Sequence, residues 1–108
     1  MNMACKIMRL MVYFDLPVKT ADDRREYTKF HKYLIRYGFI MVQNSVYSKI
    51  AVNSAAVQSI MKSIRENSPP IGNVQILTIS ERQYQNIEYI VGESQKEVLD
   101  SLDRFVIL

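Results

Sequence analysis

The sequence predicts one domain of the α+β class, in which strands and helices alternate in the order β, α, β, β, α, β. Two observations predict this class. Short apolar runs rich in Val, Ile, Tyr and Phe are separated by two longer segments with helical periodicity. Of the 108 residues, 48% are hydrophobic and 23% are charged, which is the balance of one compact domain. The chain is too short for two domains.

The first strand and the first helix have clear boundaries in the sequence. Residues 7–14, IMRLMVYF, are almost continuously apolar, which is typical of an interior strand covered on both faces. The segment 15–17, Asp-Leu-Pro, ends this strand. Thr20 and Asp23 then form a T-x-x-D capping box, and the predicted helix extends to a C-cap at Gly38.

Two sets of side chains divide this helix into opposite faces. One set is spaced to face the core, and consists of Tyr27, Phe30, Leu34 and Tyr37. The other set carries charge of one sign, and consists of Arg25, Lys29, Lys32 and Arg36. We call this second set the basic face. Either it is a solvated helix surface or it contacts nucleic-acid phosphates.

The remaining elements follow in order along the chain. Residues 39–50 are predicted to be extended, with a polar break at 43–45 that is either a turn or a kink. Asn53 caps a second amphipathic helix, which ends before the prolines at 68–70. Another strand is predicted at 74–80, VQILTIS.

This order matches the ferredoxin-like βαββαβ unit, in which right-handed crossovers place both helices on one face of an antiparallel sheet. The opposite face of the sheet is then bare, and an apolar face must be covered. We therefore expect a homodimer, with Met11, Tyr13 and Ile79 among the contact residues.

The predicted single domain, 1–108, divides into a core unit at about 7–80 and an extension at about 81–108 for dimer or partner contacts. Residues 87–91 alternate in polarity and predict an extra strand, placed at an edge that pairs with a partner subunit. The chain ends on four apolar residues, which we expect to dock either on the protein's own sheet edge or on another protein: Phe105, Val106, Ile107 and Leu108.

The net charge of +3 is unevenly divided along the chain. Up to Arg65 there are 11 Lys or Arg against 4 Asp or Glu, a net charge of +7, and from Glu66 onward there are 3 against 7, a net charge of −4. The first part is therefore suited to a polyanion, and the last part to a basic protein surface.

Composition excludes several kinds of site. One cysteine and one histidine cannot supply a structural zinc site or an iron–sulfur cluster, and Cys5 cannot form an internal disulfide. The three glycines lie too far apart for a P-loop or a dinucleotide fingerprint. No apolar stretch is long enough to span a bilayer, so a cytoplasmic protein without membrane contact is expected.

Asp15 and His31 are the side chains most suited to chemistry. Asp15 directly follows an apolar strand, where it either forms an Asx turn or acts as a functional carboxylate. A two-fold axis near this strand end would bring two copies of Asp15 together, and the pair could hold one Mg²⁺ ion. His31 has no acid at helical spacing, which favours a packed surface histidine over a general base.

The chain resembles the CRISPR-associated protein two family along essentially its whole length. The segments that carry the resemblance are 8–17 (MRLMVYFDLP), 37–41 (YGFIM) and 43–49 (QNSVYSK), and segments 72–78 and 103–108 look like the type II branch. The resemblance implies a ferredoxin-like homodimer that bridges two dimers of the CRISPR-associated protein one integrase and helps to capture new spacer DNA.

The resemblance also implies a role for Asp15. That residue takes the place of the family's metal-binding aspartate, for which magnesium-dependent endonuclease activity on RNA or DNA is claimed in some members. Two functions therefore follow from the sequence. One is a non-catalytic dimer that holds double-stranded DNA and docks the integrase, and the other is a metal-dependent phosphodiesterase that acts through paired Asp15.

Overall fold

The computed structural model describes residues 7–93, in which four antiparallel strands form one sheet. Two long helices pack on one face of the sheet, and a short third helix contacts the opposite face, which we call the outer face. In chain order the elements are β1 (Met8–Asp15), α1 (Ala21–Arg36), β2 (Ile40–Gln43), β3 (Val46–Ala51), α2 (Ser54–Asn67), β4 (Asn73–Ser80) and α3 (Glu81–Gln85).

The strand order is β2-β3-β1-β4, so β1 lies between two neighbours and pairs antiparallel with both. This position explains the nearly continuous apolarity of β1, because its side chains are covered on both faces of the sheet. Leu10 and Val12 are fully buried, and Met11 on the outer face is only 3% exposed. The observed order and pairing confirm the predicted α+β class and its antiparallel sheet.

Local signals set both ends of α1. The Thr20 hydroxyl accepts a hydrogen bond from the Asp23 amide at 3.0 Å, and the Asp23 carboxylate accepts one from the Thr20 amide at 3.1 Å. At the other end Gly38 has a φ of +101°, and the Phe39 amide donates to the Leu34 carbonyl at 2.9 Å. This is the six-to-one bond of a Schellman motif, which needs a residue that tolerates the left-handed region.

The core lies between the sheet and the two long helices. Phe30 and Leu34 of α1 are buried there, as predicted, and burial of each side chain stabilises the fold by about 1.5–3 kcal/mol. Phe14 of β1 joins the helix to the sheet, because its ring centroid lies 5.1 Å from that of Phe30 and 5.5 Å from that of Tyr47. The α2 contribution to this core comes from Val57, Ile60 and Ile64.

The polar break at 43–45 is a turn. Asn44 and Ser45 connect β2 to β3, and Ser45 adopts a φ of +66°. The register shifts between Met41 and Gln43, which marks an irregularity in β2 just before the turn. The turn is also tied to the central strand, because the Phe14 amide donates to the Ser45 carbonyl at 3.1 Å.

Helix α3 was not predicted, and it changes the account of the outer face. Its N-cap is Ser80, whose hydroxyl accepts a hydrogen bond from the Gln83 amide at 3.1 Å. Glu81 and Tyr84 of this helix contact outer-face residues of the sheet. Met11 lies on the same face and is buried within one chain, so the prediction that Met11 is available to a partner is wrong.

The predicted strand at 87–91 does not form within one chain. Ile90 and Val91 are 82% and 90% exposed. Alternating polarity determines which side chains share a face, but a strand also needs a neighbour to supply ladder hydrogen bonds. The apolar end at 105–108 lies outside the described residues, so its docking stays a prediction. Across residues 7–93, no helix combines the length and apolarity that a membrane span requires.

Candidate functional site: a basic helix face and a strand-end carboxylate

The basic face lies on the solvent side of α1. All four of its side chains are exposed, while Phe30 and Leu34 on the opposite side of the helix are buried. This arrangement confirms the two-faced helix that the spacing predicts. The four cations line one shallow groove together with Ala21, Arg24 and Thr28.

The cations of this groove differ in how freely they can bind a phosphate. Arg25 forms an exposed ion pair with Asp22, one turn earlier on the helix, so part of its charge is already balanced. Arg24 donates to the carbonyls of Val18 and Lys19 at 3.1 and 3.0 Å, which fixes the chain before α1. Within residues 7–93 the cations without an ion-pair partner on this face are Lys29, Lys32 and Arg36.

Asp15 is the last residue of β1 and is exposed. It pairs in register with Asn73 of β4, and its carboxylate has no hydrogen-bond or ion-pair partner among residues 7–93. The backbone at this point is closely packed. A Cβ atom added to Gly72 would lie 2.9 Å from the Asp15 carbonyl oxygen and 2.7 Å from a Leu16 methyl group.

The side chains around Asp15 supply few metal ligands. No group of three His, Cys, Asp or Glu residues suited to a metal ion occurs in the described part of the chain. Mg²⁺ in proteins is often bound by one or two carboxylates, with waters and substrate phosphates completing the shell. A single exposed carboxylate therefore fits such an ion only if a second copy of the chain or a phosphate supplies further ligands.

His31 belongs to a polar cluster that the sequence does not reveal. Its Nδ1 atom is hydrogen-bonded to the Tyr47 hydroxyl, and the two rings meet edge to face with centroids 5.7 Å apart. Nearby, the Tyr27 hydroxyl lies 3.1 Å from the Asn44 Oδ1 atom and 3.2 Å from the Ser45 hydroxyl. The cluster joins α1 to β3 and to the β2–β3 turn, contacts that only the fold creates.

A second feature without a sequence signal ties α3 to the sheet. Arg9 makes two hydrogen bonds to the Glu81 carboxylate, at 3.0 and 2.7 Å, and its guanidinium lies 4.0 Å from the centroid of the Tyr84 ring. The Ser48 hydroxyl donates to the Tyr84 hydroxyl at 3.3 Å. Arg9 and Glu81 are 72 positions apart, so no local spacing could have indicated the pair.

Comparisons with known proteins agree with these features. Residues 8–87 match the family described as CRISPR associated protein Cas2. The CRISPR-associated endoribonuclease Cas2 of Treponema denticola is 52% identical over 94% of this chain and all of its own length. The proteins of the same name from Ligilactobacillus salivarius and Streptococcus mutans are 46% and 41% identical over 94% of this chain, and over 100% and 93% of their own lengths.

A solved protein described as a crystal structure of cas2 shares the fold. The two superpose with a TM-score of 0.56 at 19% identity, covering 82% of this chain and 91% of the other. The family match extends from β1 to the residues just after α3 and includes both Asp15 and the basic face. The resemblance seen in the sequence is thereby confirmed: the chain belongs to the Cas2 family of CRISPR-associated proteins.

Proposed function

We propose that the protein is the small adaptation subunit of a CRISPR system. In this role it forms a homodimer in the cytoplasm, bridges dimers of the CRISPR-associated protein one integrase, and holds duplex DNA by its backbone during spacer acquisition. The observation that carries the DNA-binding part is the exposed cationic surface of α1, on which Lys29, Lys32 and Arg36 have no carboxylate partner within residues 7–93.

The geometry of this surface favours phosphate contact without base recognition. Its cations follow one side of a single helix, and the groove that they line is shallow and open. Contacts of this kind neutralise phosphates and release counterions, so they give affinity that depends strongly on salt. The family membership supports the same role, because the integrase partnership belongs to the family as a whole.

The test compares two double variants that remove the same charge. Lys29→Gln with Lys32→Gln should lower the slope of log affinity for duplex DNA against log salt by about two units, or about four if both copies in a dimer engage. Lys62→Gln with Arg65→Gln, on the exposed side of α2, is the matched control and should leave the slope unchanged. Equal slopes in the two variants, or no change in either, would show that the basic face is a solvated surface that does not contact phosphates.

A second candidate function is a magnesium-dependent endonuclease that acts on RNA or DNA through paired Asp15. The similar proteins from Treponema denticola, Ligilactobacillus salivarius and Streptococcus mutans are each named an endoribonuclease, which favours this candidate. A bound Mg²⁺ ion would polarise the phosphodiester and acidify an attacking water. The exposed carboxylate of Asp15, which has no partner among residues 7–93, supports it, although the same part of the chain offers no group of three metal-ligating side chains and no adjacent general base.

Asp15→Asn separates the two functions. The amide keeps the size of the side chain but removes the charge that Mg²⁺ requires. If the endonuclease function is correct, the variant loses magnesium-dependent cleavage of RNA and DNA while duplex binding and oligomeric state are unchanged. Cleavage that persists in the purified variant identifies a contaminant or another site. Spacer capture with the integrase should survive the substitution if adaptation is non-catalytic.

A further inference from the structure

A small notch lies beside the basic face, between α1 and the β2–β3 turn. It has a volume of about 200 Å³ and is lined by Tyr27, Thr28, His31, Met41, Asn44 and Tyr47. None of these six residues carries a carboxylate. Thr28 also lines the groove of the basic face, so the notch and the groove adjoin at that residue.

The hydrogen-bond pattern fixes the tautomer of His31. Tyr47 is fully buried, and within the described residues its hydroxyl has one partner, the His31 Nδ1 atom. A buried phenol hydrogen needs an acceptor, so Tyr47 donates and Nδ1 accepts. Burial raises the pKa of Tyr47 to about 12, which keeps the phenol protonated at neutral pH. The hydrogen of the neutral imidazole must then lie on Nε2.

The Nε2–H group is available to a ligand. Every buried side-chain nitrogen or oxygen atom in residues 7–93 has a hydrogen-bond partner. Nε2 has no partner there, so it is not buried but accessible to solvent. Asn44 contributes in the same way, because its Oδ1 atom accepts from the Tyr27 hydroxyl and leaves the two Nδ2 hydrogens as donors.

The notch thus presents neutral donors and no anionic group. His31 offers Nε2–H, Asn44 offers its amide hydrogens, and Thr28 offers a hydroxyl on the turn of α1 that also carries Lys32. Hydroxyl and amide side chains are common phosphate ligands in nucleic-acid complexes, beside the charged ones. An anion held here would gain hydrogen bonds from the notch and charge from the adjoining basic face.

We propose that this notch binds one phosphate group of a nucleic-acid backbone, with the Nε2–H of His31 as a donor. The inference rests on the proposed nucleic-acid binding and deepens it, because it assigns a phosphate position whose direct ligands are neutral side chains rather than lysines and arginines. The chemistry is that of a phosphodiester, which DNA and RNA share, so duplexes of both kinds are arms of the test. Tyr47 acts as a positioning residue, since it reaches the ligand only through His31.

The single histidine of the chain makes this proposal directly measurable. In the tag-free full-length protein, long-range proton–nitrogen spectra should show the Nε2–H tautomer, and the His31 signals should shift when duplex DNA, duplex RNA or inorganic phosphate is added. Signals that do not move with any of the three probes overturn the proposal. If neither duplex binds the protein at all, the proposed function fails, and the phosphate titration alone then decides the notch.

Variants separate this contact from a structural role. His31→Leu is made in the Tyr47→Phe background, so that the loss of the imidazole does not leave the Tyr47 hydroxyl buried without a partner. The double variant should bind duplex roughly tenfold more weakly than Tyr47→Phe alone. Because the lost donor is neutral, the salt slope should not change, unlike the slope of the lysine variant. His31→Gln keeps one acceptor and one donor and should retain most of the affinity. Unchanged affinity in the leucine variant, or a lowered salt slope, contradicts the proposal.

Discussion

Among single residues, Gly72 has the strongest backbone requirement near the candidate site. Its φ is +102°, a region that other residues rarely adopt, and its Cα lies against the backbone of Asp15 and Leu16 at the end of β1. The loop before β4 can pass close to β1 only because no Cβ intervenes. Gly72 therefore fixes the point at which Asp15 emerges from the sheet.

Gly72→Ala should lower the free energy of unfolding by about 1–3 kcal/mol, because it adds backbone strain to a steric clash. Gly92→Ala is the matched control. Gly92 also has a positive φ, of +93°, but nothing lies within 4 Å of an added Cβ. Denaturant unfolding of both variants measures the difference. An equal, small effect at both positions would show that the loop moves aside without cost.

The buried phenol of Tyr47 predicts a pH dependence of stability. Burial raises the pKa of Tyr47 from 10.0 to about 12, so the folded state holds the proton more tightly than the unfolded state does. Below pH 10 both states are protonated and the contribution to stability is complete; it is lost as the pH rises from about 10 to about 12. Unfolding followed by circular dichroism across this range should show the loss, and Tyr47→Phe should reduce it.

At the scale of elements, an ion pair between distant parts of the chain helps to hold α3 to the outer face. The side chains of Arg9 and Glu81 are only 9% and 33% exposed, and the Tyr84 ring covers the guanidinium. A guanidinium that loses its carboxylate in such a place remains buried without compensation. The pair therefore adds to the Ser48–Tyr84 hydrogen bond in holding α3 over the centre of the outer face.

Glu81→Ala should destabilise the fold by about 1–3 kcal/mol, less than a fully buried pair because Glu81 is partly exposed. Amide hydrogen exchange should rise in α3 and in the outer-facing part of β1. Asp22→Ala is the control, because its pair with Arg25 is 72% and 85% exposed and should contribute almost nothing. If the two variants had the same stability, the Arg9–Glu81 pair would have no special role.

The elements that the sequence predicted correctly are those with local signals. α1 has a capping box at Thr20 and a glycine in the C-terminal motif, α2 has Asn53 as its N-cap, and the break at 43–45 contains turn-forming residues. α3 also has a capping box, from Ser80 to Gln83. Its five residues show no helical apolar period. The segments on both sides have the pattern of strands, so the sequence does not indicate a helix between them.

The candidate site was predictable in part for the same reason. The basic face follows from spacing on one helix, and Asp15 from its place directly after an apolar strand. The His31–Tyr47 bond and the notch around it depend on how α1 packs against β3 and the β2–β3 turn. No spacing within one element indicates such contacts, because they arise between elements.

At the scale of the whole molecule, residues 7–93 cover the outer face only in part. Beyond α3 it exposes Leu77, Ile40 and Ile50, at 51%, 43% and 47%. Leu77 lies on β4, which among residues 7–93 has β1 on one side and no strand on the other. Apolar residues on one face of a sheet that also has an unpaired edge favour a second copy of the chain as the occupant. The expected oligomer is a two-fold dimer at micromolar concentration.

Leu77→Glu should convert this dimer into a monomer, because it places a charge in the predicted interface. Light scattering should give twice the mass of the 12.6 kDa chain for the unmodified protein and the single mass for the variant. Ile35→Glu is the matched control, since Ile35 is 45% exposed on α1, away from the outer face. A wild-type protein that is monomeric throughout this concentration range would exclude the proposed dimer.

The end of the chain should carry the integrase contact. From Glu66 onward the net charge is −4, which disfavours phosphate, and the last four residues are apolar enough to add a strand to an exposed sheet edge. Deletion of 104–108 should abolish co-purification with the integrase while the truncated protein stays folded and dimeric and still binds duplex DNA. Retained integrase binding, or unfolding of the truncated protein, would contradict this assignment.

The central place of β1 in the sheet also determines when the fold can be completed on the ribosome. β1 emerges before the other three strands, but it pairs with β3 on one edge and with β4 on the other. Its Met8 pairs with Ser80, which is synthesised 72 residues later. Until β4 has left the exit tunnel, the most apolar strand of the chain has one unpaired edge. That interval is when the nascent protein is most open to aggregation and to chaperones, and a pause in translation before β4 would prolong it.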